Sequence, residues 1–108
     1  MSFLSLKDIQ EREIFPGCKV RFVHARNMTF AYWDLAPDAR IPDHSHPHEQ
    51  VANFFEGQFE LTIGGETRHM VPGDVAIIPS NAAHSGRALT ACRILDVFYP
   101  VREDYRSL

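Results

Sequence analysis

From residue 18 onward apolar and polar positions alternate in short runs, and turn signals break them about every eight to twelve residues, as in an all-β barrel or sandwich. CKVRFVHA and MTFAYWDL read as strands joined across Arg26-Asn27, and Ala36-Pro37-Asp38-Ala39 ends the second. HSHPHEQ follows and runs into QVANFFEG, where a turn around Glu56-Gly57-Gln58 leads to FELTI, with Phe59, Leu61 and Ile63 on one face. Gly64-Gly65 should close a hairpin with ETRHMV, because a type I′ turn needs positive φ at both central positions. Pro72-Gly73-Asp74 marks another turn, VAIIP reads as a short buried strand, Ser80 to Ala83 turn again before His84, and LTACRILDVFY is the last long strand. Only LSLKDIQE leaves room for a helical turn.

Length and composition then narrow the class. The chain has 108 residues, enough for one core, and the six glycines and seven prolines punctuate it without forming a linker. Residues 1–108 are therefore expected to form a single domain. Hydrophobic residues make up 44% and charged ones 23%, and no apolar run is long enough to span a bilayer, so no membrane partner is expected. The N-terminus, MSFLSLKDIQERE, has neither a basic leader nor an apolar stretch of signal-peptide length, which leads to the expectation of a cytoplasmic protein. Net charge is −3 with scattered basic residues, which does not suit nucleic acid and favours a small-molecule partner. Cys18 and Cys92 belong to no metal or redox pattern and are expected as buried, reduced thiols. Phe3-Leu4-Ser5-Leu6 and Ile9, within segment 1–15, form an apolar patch suited to a homodimer interface or to folding back on the barrel.

The candidate chemistry starts with the histidines. In an extended segment His44, His46, His48 and Gln50 share a face, with Pro47 bending the strand between them, and two imidazoles on one strand can chelate a metal. His84, after a turn, can join them across a barrel, whereas His48, His24 and His69 read as ordinary polar residues and Glu49 points to the other face. Along the last strand Cys92, Ile94, Asp96 and Phe98 share a face; if that face is the barrel interior, burial among apolar neighbours raises the Asp96 pKa into the range of a general acid/base, and otherwise Asp96 faces solvent. Arg102, beyond Pro100, can return over the barrel mouth to grip a carboxylate, or else join a surface network with Glu103 and Asp104.

These residues carry a resemblance. His44-x-His46, Gln50 and Gly57 resemble the first cupin motif, and Gly73, Pro79-x-Asn81 and His84 resemble the second. The resemblance implies an all-β, single-domain, RmlC-like jelly-roll barrel. It also implies one divalent transition metal ion per chain (zinc, nickel, iron, cobalt or manganese) held by His44, His46, Gln50 and His84. Three positions depart from the family pattern. Asn81 replaces a glycine but tolerates left-handed geometry, Ala88 replaces an asparagine, and Gln50 replaces a glutamate. A neutral amide leaves the ion's charge uncompensated, which weakens binding and strengthens the Lewis acid.

HSHPHEQ, LTIGGE and DVFYPVREDY together are similar to the pectin-degradation cupins that linearise unsaturated uronates. By that similarity Asp96, Phe98 and Arg102 are the catalytic residues, and the substrate is a small sugar acid, a 4,5-unsaturated monouronate opened to its linear keto form. Two other functions share the same ligand set: a mononuclear iron dioxygenase, and a non-catalytic barrel that binds a sugar or metal.

Overall fold

The computed structural model describes residues 2–108. Its ten strands run β1 (Arg12–Phe15), β2 (Cys18–His24), β3 (Thr29–Leu35), β4 (Arg40–His44), β5 (Glu49–Glu56), β6 (Phe59–Ile63), β7 (Glu66–Met70), β8 (Val75–Ile78), β9 (His84–Ala88) and β10 (Cys92–Tyr99). They form two antiparallel sheets, one ordered β1-β2-β3-β10-β5-β8 and the other β4-β9-β6-β7. A short 3-10 turn at Leu6–Asp8 precedes them, within the stretch expected to be helical, and a one-turn helix, α1 (Glu103–Arg106), follows. Among the described residues no helix is long and apolar enough to cross a membrane.

The jelly-roll arrangement follows from alternation. In β3 Thr29, Ala31, Trp33 and Leu35 are buried while the residues between them are half-exposed; in β10 Cys92, Ile94, Asp96 and Phe98 are buried in the same rhythm. The two strands pair antiparallel with Ile94 opposite Trp33 and Asp96 opposite Ala31, so their inward rows meet on one face. The other sheet contributes Phe59, Leu61 and Ala88 to the same core. Cys18 and Cys92 lie buried and unpaired within it, as expected.

The turn chemistry matches the sequence reading. Gly64 and Gly65 have φ of 55° and 85°, the left-handed pair that a type I′ hairpin needs, and Asn81 adopts φ 65°. Gly57 has φ 87°, and a Cβ there would sit 2.0 Å from the Ala91 carbonyl oxygen, so only glycine lets the β5–β6 turn pass that backbone.

Three expectations need correction, on HSHPHEQ, on VAIIP and on where helix forms. HSHPHEQ is not one strand, since β4 ends at His44, β5 begins at Glu49 in the other sheet, and residues 45–48 bridge the two. Pro47 lies in that break, where its missing N–H costs no ladder hydrogen bond. VAIIP is not fully buried: β8 is an edge strand whose Val75 and Ile77 face outward, exposed, while Ile78 packs inside. REIF, unassigned from sequence, forms β1, and EDYR forms α1, which returns Tyr105 onto Phe22 of β2. Phe3 and Leu4 of the N-terminal patch are exposed and do not fold back on the barrel.

Candidate functional site

The break between β4 and β5 is what assembles the site. His44 ends β4 directly opposite His84, the first residue of β9, and the bridging loop brings His46 over both. The ring centroids lie 4.2 Å apart for His44 and His84, 5.0 Å for His46 and His84, and 5.6 Å for His44 and His46. One nitrogen from each ring lies within 4.8 Å of the others, a group that could hold a metal ion. His44 and His46 thus serve one centre from two structural segments.

Hydrogen bonding orients all three rings the same way. Nδ1 of His44 is 2.8 Å from the Pro42 carbonyl oxygen, Nδ1 of His46 is 3.1 Å from that of His48, and Nδ1 of His84 is 2.9 Å from that of Ala82. A carbonyl can only accept, so each ring donates from Nδ1 and, when neutral, keeps a lone pair on Nε2, the tautomer in which a backbone-anchored imidazole ligates metal. Nε2 of buried His84 has no partner. Nε2 of His46 lies 3.1 Å from Gln50 Oε1, one acceptor facing another. Protonation does not relieve that contact, because burial first, and then the charge of Arg102 and the neighbouring His84, lowers the His46 pKa to about 4. Convergent lone pairs with no proton to share suit a divalent cation, so this donor set fits the metal expected from sequence.

Gln50, the second residue of β5, is buried beside His46, and Glu49 before it faces out, as alternation requires. Asp96, buried in β10, lies on the same inner wall. Burial raises its pKa from 3.8 to about 6, while the Gln50 amide, the Trp33 indole and the charge of Arg102 pull it down. Trp33 Nε1 approaches the Asp96 carboxylate closely enough to lower its pKa, but neither it nor Asp96 Oδ1 completes a well-formed hydrogen bond.

Arg102 is 5% exposed and returns over the mouth as expected. Its guanidinium lies 4.0 Å from the Tyr105 ring centroid and 4.8 Å from that of Phe98. The Asp104 alternative is also realised: Nε and Nη2 donate to the two carboxylate oxygens at 3.0 and 2.7 Å, which leaves Nη1 buried and unpartnered. The Arg102 backbone N–H donates to Thr29 Oγ1 at 2.9 Å, tying the C-terminal segment to β3.

A cavity of about 310 Å³ connects these groups, lined by His44, Gln50, His84, Asp96, Phe98 and Arg102 on its polar side and by aliphatic and aromatic core residues elsewhere. His46 sits at its edge, stacked edge-on to Phe98 at 5.5 Å. The sequence reading missed Trp33 and Tyr105 and placed Asp104 only in a surface network; all three line the same cavity. The period-two burial of β3 already pointed Trp33 inward, but nothing in the sequence announced a short helix folding Tyr105 back. His24 bonds to Thr29 Oγ1 at 2.9 Å and exposed His69 to Gln58 at 2.6 Å, both away from the site. His48, expected as a solvated bystander, is half-buried, with its ring 5.5 Å from His46 and its Nδ1 buried and unpartnered.

Fold and site define a two-sheet jelly roll with a candidate three-histidine metal centre inside its mouth. Residues 31–98 match the cupin domain, and the chain belongs to the cupin family. An RmlC-like cupin from Shewanella frigidimarina superposes with a TM-score of 0.91 at 24% identity, covering 97% of this chain and 96% of that one. KdgF from Halomonas sp. superposes with a TM-score of 0.90 at 26% identity, covering 97% and 98%. Oxalate decarboxylase of Bacillus subtilis, an enzyme with Mn(II) centres, superposes at 0.80 with 26% identity over 90% of this chain, which spans 29% of that enzyme. No match is found among curated protein sequences.

Proposed function

We propose that this chain is a metal-dependent isomerase that opens a 4,5-unsaturated monouronate and tautomerises it to the linear keto acid. The observation that carries the reading is one cavity holding a lone-pair triad, a buried carboxylate with a pKa near 6, and a buried guanidinium with a free N–H edge. The likeness to KdgF over nearly the whole of both chains supports it, as does the C-terminal phrase DVFYPVREDY.

The chemistry asks for these groups. In the cyclic substrate the anomeric hydroxyl must lose a proton as the C1–O5 bond breaks, giving an aldehyde at C1. The electron pair of the broken bond stays on O5, so the C5 species is an enolate; it gains at C4 the one proton that the anomeric hydroxyl gave up and becomes the ketone, so the sum is an isomerisation with no other reactant. Asp96, poised near pH 6, takes the first proton and delivers one to C4, as a general base and then a general acid. Arg102 offers Nη1 to the substrate carboxylate while Asp104 fixes the other edge of the fork, and Phe98 walls the pocket between Arg102 and His46. A divalent ion held by His44, His46, His84 and the Gln50 amide oxygen would supply Lewis acidity toward the developing negative charge.

Product analysis tests this. Incubating the metal-loaded protein with the unsaturated monouronate in deuterium oxide should yield the linear keto acid with one deuterium at C4, seen by NMR. An unchanged substrate spectrum contradicts it.

A further inference from the structure

The cavity holds a pattern that the proposed reaction has not used. Four of its lining residues, Trp33, His84, Asp96 and Arg102, each carry a polar side-chain atom that is shielded from solvent and has no partner in the protein. A folded chain leaves only a few such atoms orphaned, and four gathered around one cavity mark groups held ready for something else. His84 Nε2 belongs to the metal triad, while Asp96 and Arg102 have roles in the reaction above. Trp33 does not. It is 5% exposed, sits on β3 opposite Ile94, and presents its indole near the Asp96 carboxylate without completing a hydrogen bond.

An indole N–H can only donate, and a buried tryptophan normally finds an acceptor. A phenylalanine would supply an aromatic ring there without creating an orphan. We propose that Trp33 is a substrate-binding residue whose Nε1–H donates to a hydroxyl or ring oxygen of a hydroxylated carboxylic acid, with the acid's carboxylate on Arg102. Trp33 then sets specificity: an acid without an oxygen at that point leaves the donor with only its incomplete approach to Asp96 and is discriminated against. This rests on the reading of the cavity as a sugar-acid site and adds to it a residue that selects for oxygen on the ring.

Trp33 is the only tryptophan of the chain, so its emission reports on its own N–H. The test titrates the metal-loaded protein with galacturonate and, separately, with cyclohexanecarboxylate, which has a six-membered ring and the charge but no hydroxyls. Expected is a saturable change of tryptophan emission with galacturonate and a much weaker one with cyclohexanecarboxylate. Equal responses to both, or none to either, overturn the proposal. By calorimetry W33F should bind galacturonate about 10- to 100-fold more weakly, the range for removing one hydrogen bond to a buried group, with circular dichroism unchanged. Unaltered affinity in folded W33F also overturns it. The two claims fail separately. Galacturonate can bind through Trp33 in a protein that does not open the unsaturated uronate, and a W33F variant that turns the uronate over with unchanged kcat/KM refutes the role of Trp33 alone.

Discussion

Replacing Asp96 by asparagine should make the metal-free protein more stable while removing its activity. Asp96 is 7% exposed, and its pKa rises from 3.8 to about 6 because the folded chain withholds water from its charge. Well below pH 4 the carboxyl is protonated whether the chain is folded or not, and burying it carries no charge penalty. Between about pH 4 and pH 6 the unfolded chain releases the proton and the folded chain keeps it, so stability falls as pH rises through that window. Two pH units at 1.36 kcal/mol each amount to about 3 kcal/mol. Asparagine has nearly the same shape and no charge to bury. D96N should therefore exceed the wild type by about 3 kcal/mol near pH 7.5 and by almost nothing near pH 3.5. His46 shifts in the opposite direction, but both proteins contain it and it drops out of the difference. Urea denaturation of the two chelator-treated proteins across this range measures the quantity directly. A D96N protein of equal or lower stability near pH 7.5, or a difference that does not change with pH, would refute the assignment of a buried, high-pKa carboxylate. A carboxylate kept at such a cost is understandable if it moves protons, and D96N should retain its metal while losing turnover.

Three other outcomes follow from the geometry. H84A removes the unpartnered Nε2 from the triad and should weaken metal binding by at least about tenfold with the fold intact, read by elemental analysis after dialysis and by circular dichroism. Q50E puts a second carboxylate beside Asp96, so metal affinity should rise while like-charge repulsion lifts the Asp96 pKa further, moving the acid limb of the pH–rate profile upward by about one unit. G57A forces a Cβ to within 2.0 Å of the Ala91 carbonyl at a φ of 87° and should cost about 3 kcal/mol in denaturant titration.

Much of this molecule can be read from its sequence, and the unread parts share a physical cause. Period-two alternation put Asp96 and Phe98 on the inner face of the last strand, and the Gly64-Gly65 pair defined its hairpin, because each depends on neighbours in the chain. The same alternation misjudged HSHPHEQ, where His44 ends a strand of one sheet and His46 and His48 lie in the crossing to the other. Local pattern carries no record of which sheet a segment joins. The outward side chains of β8 belong to the same class of error, since an edge strand with one face against the core and one face open reads like a buried one when both faces are apolar. Asp104 and Tyr105 entered the site through a fold-back of the C-terminus, a tertiary contact with Phe22 of β2 that spacing does not encode.

The claim at the centre of the account is that the triad and Asp96 act together on one sugar acid. The most direct measurement is the ultraviolet absorbance of the conjugated double bond in a 4,5-unsaturated monouronate, followed with metal-loaded wild type, chelator-treated wild type and metal-loaded D96N. Rapid loss of absorbance is expected with the first protein alone. Equal decay in all three, or no acceleration by the metal-loaded wild type, would contradict it.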